Sequence, residues 1–302
     1  MSAVAGVSKT VFAIGCVVSL IAGLFIGAFA LSPFFTRTKR EVLVIMGSTT
    51  VLPIMEDCAQ KFMELHPNTD IRVSGGGSGV GIANLIDGVC DIAMASREPT
   101  EEEYQAAAEA GVDMVLHPIA LDAVCVIVHP CVENALGEPL KLKIEEVREI
   151  FTGRLTYWDQ VDPRLPHESI TVFIREPGSG TRGTFEEYVL REGDICVGHE
   201  KQGNPAMRDA VATTEWSIGY VGLGFITENV RAVWIYNDDL GTYVQPGVDT
   251  VKNGTYPLSR KLYLITNGTP EEGLLIDMFI DFVLSPEGQE IVERKGFIPL
   301  TD

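Results

Sequence analysis

Apolar and polar residues along this chain switch repeatedly between a two-residue and a helical period. Val42–Met46 is a short apolar run of strand length, and from about Pro53 to Leu65 the apolar positions return at helical spacing. Asp70–Ser74 predicts a second strand, and Val80–Gly88 a helix with Ile82, Leu85 and Ile86 on one face. Asp91–Ala95 is a third strand. Thr100-Glu101-Glu102-Glu103 is a capping box that opens an alanine-rich helix stopping at Gly111. A strand at Ala123–Val128 ends at His129-Pro130, and Ile144–Phe151 is helical, followed by Gly153 and a loop with Trp158. Ile170–Ile174 is a strand, Thr184–Leu190 and Pro205–Thr213 are helices, and Ile218–Val221 is extended. The tail holds a strand at Leu262–Ile265 and helices at Pro270–Leu284 and Pro286–Lys295. Strands alternating with helices predict an α/β fold with largely parallel sheets.

Three of the strand-to-helix connections share a composition: Gly47-Ser48-Thr49-Thr50, Gly75-Gly76-Gly77-Ser78-Gly79-Val80-Gly81 and Gly178-Ser179-Gly180-Thr181. A helix start carries unpaired N–H groups and about half a positive charge, so three of them supply roughly +1.5 and form ready anion sites. Arg175, at the end of an apolar strand and ahead of the third turn, adds a full charge where ligands gather in open α/β sheets. Any one such turn is most often only a helix cap. Three together, one of them glycine-rich enough for close backbone approach, suit a compact dianion such as phosphate.

The remaining chemistry narrows the class. At 302 residues and 46% hydrophobic content the chain can form two domains with large cores. The net charge of −19 argues against nucleic acid and requires any anion site to rely on local dipoles and arginines. Gly178-Ser179-Gly180-Thr181-Arg182-Gly183 formally matches a dinucleotide fingerprint but lacks the later acidic strand end, and no phosphate-loop lysine motif or nucleophile elbow exists. The five histidines show no ligand spacing, and neither an enzyme nor a cofactor or metal is expected. The body holds five cysteines without CxxC spacing, and because five is odd at least one is free; Cys125 reads as a small core residue.

The N-terminal residues 1–40 form an export or membrane element, since Val11–Leu31 holds no charge and is long enough to span a bilayer. Ala28-Phe29-Ala30 reads as a signal cleavage site, whereas the length of the apolar run favours a retained anchor. Arg37, Lys39 and Arg40 follow the run; taken alone, the positive-inside rule leaves the body in the cytoplasm, against its anion-binding chemistry.

Several stretches together carry a resemblance. Val44–Val51, Gly75–Gly81, Asp91–Arg97, Ile150–Gly153 with Trp158, Pro177–Arg182, Ile218–Val221 and Tyr256–Arg260 resemble the phosphate-binding proteins of phosphate ABC transporters, the PstS family, over nearly all of residues 42–302. The resemblance implies a two-lobed periplasmic-binding-protein fold with two crossovers. Lobe 1 would be residues 41–121 plus 225–302, and lobe 2 residues 122–224, with crossings near Leu121–Ala123 and Ile218–Gly224. Inorganic phosphate would be held by Ser48, Thr49, Thr50, Ser78, Gly79, Ser179, Gly180 and Thr181, with Arg175 as the cation. An extracytoplasmic monomer that delivers phosphate to permease subunits is implied; a sensor without transport, or a receptor for sulfate or molybdate, is the alternative.

One position departs from the best-known members, where an aspartate after the third strand accepts the phosphate proton: here it is Arg97. Asp122 is the candidate replacement acceptor, with Arg97 either binding phosphate or holding Asp122, and Arg182 a second ligand or a solvated helix-start arginine.

Overall fold

The computed structural model describes residues 40–300. Its strands in chain order are β1 (Glu41–Gly47), β2 (Thr69–Gly75), β3 (Ile92–Ala95), β4 (Met114–Val128), β5 (Lys141–Leu142) and β6 (Thr171–Arg175). There follow β7 (His199–Lys201), β8 (Ser217–Gly222), β9 (Arg231–Ala232), β10 (Trp234–Asn237), β11 (Thr242–Val244) and β12 (Ser259–Asn267). One sheet has the order β2-β1-β3-β12-β4-β8-β6-β7, with β9 also on β4, and a smaller one the order β11-β10-β5. The ends of the large sheet are parallel, as alternating strands and helices require. The centre differs from the expected parallel arrangement, because β12 runs antiparallel to both β3 and β4, and β8 antiparallel to β4.

The long strand β4 joins the two halves of that sheet. Met114–Ala123 pair with β12, and Val124–Val128 pair with β8. The sequence pattern predicts only its apolar end, Ala123–Val128, since Pro118 interrupts the run and cannot donate to a ladder. The structure accommodates Pro118 opposite Tyr263 at a register shift, so the strand continues through it.

Two large apolar cores follow this division. One gathers Leu43, Ile45, Phe62, Ile119, Leu262 and Phe279, with residues drawn from 43–120 and 262–297. The other gathers Val126, Phe151, Trp158, Phe185, Tyr220, Val233 and Tyr256, drawn from 123–258 together with Ile298. At the rim of the second core Phe185 stacks on Tyr220, with centroids 4.1 Å apart, and the Tyr220 hydroxyl accepts from the Arg175 backbone N–H at 3.1 Å. Packing therefore fixes where the end of β6 points.

The capping box at Thr100 forms as predicted, with Gly111 left-handed at the C-terminus of Glu101–Ala110. Cys58, Cys90, Cys125, Cys131 and Cys196 are all free. Among the described residues no helix is long and apolar enough to cross a membrane; the apolar run Val11–Leu31 and the anchor and signal readings lie outside them.

Candidate functional site

Each of the three turns opens a helix. After β1, the Ser48 Oγ accepts from the N–H groups of Thr50 and Val51 at 3.2 and 3.4 Å, turning the chain into the helix Leu52–Leu65. After β2, Gly77 takes a φ of +102°, open to glycine, and the helix Ser78–Ile86 begins at the next residue. After β6, the Ser179 Oγ caps the Arg182 N–H at 3.2 Å and the helix Gly180–Val189 follows. This helix starts four residues before the predicted Thr184. The small residues that read as a loop are thus its first turn, which brings its unpaired N–H groups into the site.

The fold brings the three turns into contact. The Gly79 N–H donates to the Gly178 carbonyl at 3.0 Å, and the hydroxyls of Thr50 and Thr181, 131 residues apart in sequence, lie 3.0 Å from each other. Gly180 packs so closely on Ser78 and Ser96 that a Cβ there would overlap both hydroxyls. Ser78 Oγ also accepts from the Ser96 N–H at 3.0 Å, and Thr184 Oγ1 reaches the Ser96 carbonyl at 3.4 Å. Ser48, Thr50, Ser78, Ser179 and Thr181 are buried. Buried hydroxyls and N–H groups of this kind require acceptors, which an oxyanion provides.

Arg175 is only 1% exposed and ties the first turn, at Thr49, to Glu176 and Asn204. Its Nε and Nη2 each donate to Glu176 at 2.8 Å, its Nη1 donates to Asn204 Oδ1 at 2.9 Å, and its Nη2 also reaches Thr49 Oγ1 at 3.1 Å. Burial raises the Glu176 pKa, but the hydrogen bonds and charge of Arg175 outweigh it and hold the carboxyl below its ordinary range.

A continuous buried network extends from this arginine. Asn204 Nδ2 donates to Thr50 Oγ1 at 2.8 Å, and Thr50 meets Thr181. Thr181 Oγ1 accepts from Arg260 Nη2 at 3.1 Å, and Arg260 forms a buried ion pair with Asp122 at 2.7 Å. Asp122 and Arg260 are register partners across β4 and β12, which is why they meet. The network carries two guanidiniums and two carboxylates, Glu176 and Asp122, and so is formally neutral before any anion enters.

Two predicted residues stand differently. Arg97 is committed to Glu103, with bonds of 2.6 and 2.8 Å, and Arg260 rather than Arg97 holds Asp122, because β12 lies directly beside it. Arg97 lines a cavity of about 400 Å³ together with Thr184, Tyr188, Arg260 and Lys261. Arg182 donates to Glu186 at 2.7 Å and to the Arg175 carbonyl at 2.9 Å, so it braces the end of β6.

Sequence reasoning gave no role to Asn204, Glu176, Ser96 or Arg260. A signal existed for Arg260, since a charged residue opening an apolar strand needs a partner; Asn204 carries none. Among the described residues no group of histidine, cysteine, aspartate or glutamate is placed to hold a metal ion.

Comparison with known proteins places this geometry in context. The model of the PBP superfamily domain matches residues 36–287. The phosphate-binding protein PstS of Pseudomonas aeruginosa PAO1 is 30% identical over 270 residues, covering 84% of this chain and 82% of that protein. PstS of Bacillus subtilis strain 168 is 31% identical over 265 residues, covering 86% and 81%. Among solved structures, a putative phosphate ABC transporter substrate-binding protein from Clostridium perfringens, crystallised with bound phosphate, is 32% identical with a TM-score of 0.73, covering 86% of this chain and all of that one.

Proposed function

The chain belongs to the PstS family of phosphate-binding proteins, within the PBP superfamily, and on that premise we propose that it captures inorganic phosphate among the three helix starts and delivers it to the permease of an ABC transporter. It is a binding protein, not an enzyme, and its work is extracytoplasmic. The observation that carries the site assignment is the meeting of Thr49 and Thr50, Ser78, and Arg175 with Ser179–Thr181, from three distant segments, in one buried donor-rich cluster. Donors from Thr49, Thr50, Ser78, Ser179, Gly180 and Thr181 surround the anion, and Arg175 supplies charge. Ser48 and Gly79 shape the turns, Arg182 braces the end of β6, and Arg97 stays bound to Glu103 outside them.

The two cores are the two lobes. Both crossings fall on the paired strands β4 and β12, at Leu121–Ala123 and at Leu258–Arg260, where one core gives way to the other. The second crossing then falls at Leu258–Arg260 in place of the expected Ile218–Gly224; its support is that Val233, Ile235, Val244, Val251, Tyr256 and Leu258 share a core with the middle segment. Closure about those strands shuts the cleft, as in hinge-type binding proteins. Asp122 supplies the proton acceptor that separates phosphate from fully ionised sulfate, since a carboxylate bonded to Leu223 N–H and Arg260 retains acceptor capacity. The protein acts as a monomer held at the membrane by the segment Val11–Leu31 or released after its cleavage.

A thermal-shift series with phosphate, arsenate, sulfate and molybdate tests the reading. Ligand that binds only the folded state raises the melting temperature with concentration. Phosphate and arsenate are expected to do so. A shift with sulfate or molybdate and none with phosphate would refute it.

A further inference from the structure

Arg260 has more donors than the protein uses. Its Nε and Nη2 both donate to the same Asp122 oxygen, at 2.9 and 2.7 Å, and Nη2 also reaches Thr181 Oγ1 at 3.1 Å. Its Nη1 is fully buried and has no hydrogen-bond partner among the described residues. Buried polar groups are almost always paired, and a guanidinium presents its donors in a fixed plane, so an unpaired nitrogen marks where an acceptor is missing. Arg175 offers the contrast, since all three of its guanidinium nitrogens have acceptors within the protein.

The surroundings narrow what that acceptor is. Arg260 touches the anion cluster through Thr181, whose hydroxyl lies 3.0 Å from that of Thr50. The same arginine borders the 400 Å³ cavity, but the side chain is only 4% exposed, so a small enclosed oxyanion fits better than a ligand spread through that cavity. Asp122 grips one edge of the guanidinium and thereby fixes the direction of the other.

We propose that Arg260 is a second anion ligand, donating from Nη1 to an oxygen of the bound phosphate, with Asp122 as the residue that positions it. The inference rests on reading the cluster as the phosphate site. It gives the site a second oriented guanidinium donor: Glu176 fixes Arg175 and Asp122 fixes Arg260, so both arginines present their donors to the anion from held positions. It also couples binding to closure. Arg260 sits on β12 beside the crossing to the other core, while Thr181 belongs to a helix of the second half, so the arginine reaches the anion only when Thr181 is close.

The test uses the full chain labelled with ¹⁵N-arginine and titrated with inorganic phosphate. The Arg260 side-chain signals, assigned by their loss in Arg260→Lys, are expected to shift and to saturate at one equivalent of phosphate. In calorimetry, the charge-neutral pair Arg260→Gln with Asp122→Asn is expected to weaken phosphate binding about tenfold or more, and Arg260→Lys to retain part of the affinity. Unmoved Arg260 signals in a wild-type chain that binds phosphate would overturn the proposal, as would a folded double variant of unchanged affinity. Should the double variant fail to fold, the wild-type titration alone decides. A wild-type chain that binds no phosphate overturns the site reading itself, and this inference with it.

Discussion

Replacing Arg175 with glutamine tests the cation of the site, and the structure separates its two effects. On the ligand side, the change removes one charge-assisted interaction of about 1.5–3 kcal/mol, which weakens phosphate binding roughly 10- to 150-fold. On the stability side, it strips Glu176 of the partner that donates to it at 2.8 Å from two nitrogens. Breaking a buried pair costs about 3–5 kcal/mol, and because the Glu176 side chain retains 15% exposure the lower end applies. About 3 kcal/mol corresponds to a fall of roughly 6–12 °C in melting temperature for a chain of this size. The double variant Arg175→Gln with Glu176→Gln removes the stranded carboxylate, so it should regain most of the melting temperature and none of the affinity. Differential scanning fluorimetry and calorimetry on the two variants measure the two quantities independently. An Arg175→Gln protein that binds phosphate within about twofold of wild type, or a double variant whose affinity recovers along with its stability, would refute the role given to this arginine.

Other consequences follow from the same contacts. Gly180→Ala places a methyl group against the Ser78 and Ser96 hydroxyls and should prevent closure, so X-ray scattering should detect no phosphate-dependent compaction while the ligand-free fold stays intact. Compaction equal to wild type would contradict this. Glu176 has a folded-state pKa below its ordinary 4.5, so its contribution to stability is present above that value and lost as pH falls through the depressed one. Glu176→Gln should therefore flatten the plot of melting temperature against pH below 4.5, and an unchanged slope would count against the pairing. Burial pushes the thiols of Cys58 and Cys196 up to about 12 and that of Cys90 to about 11. Among the five cysteines of the described residues, site-resolved alkylation of the native protein should modify Cys131, the one that is not buried, first; early labelling of Cys58 would show that the core opens locally.

Much of the fold was legible because local chemistry and tertiary packing agree. The capping box at Thr100, the apolar strand leading to Arg175 and the glycine-rich turn before Ser78 are each decided within a few residues. The three turns of the proposed site were legible for the same reason, since glycine, serine and threonine cluster where each helix starts. What escaped was decided across long separations. Asp122 and Arg260 meet 138 residues apart because β12 lies antiparallel beside β4, and no local pattern encodes that register. Pro118 hid the first half of β4, since its missing donor is tolerated only through a shift in the partner strand. Asn204 bridges Arg175 and Thr50 from a helix whose pattern carries no trace of the contact.

Selectivity for phosphate is the most demanding property of the proposed site, because donors alone hold sulfate equally well. Calorimetric titration of phosphate into the wild-type protein, with and without a large excess of sulfate at neutral pH, tests it most directly. One phosphate should bind per chain, with an affinity that sulfate leaves unchanged beyond its effect on ionic strength. Displacement of phosphate by sulfate, or no phosphate binding, would contradict it.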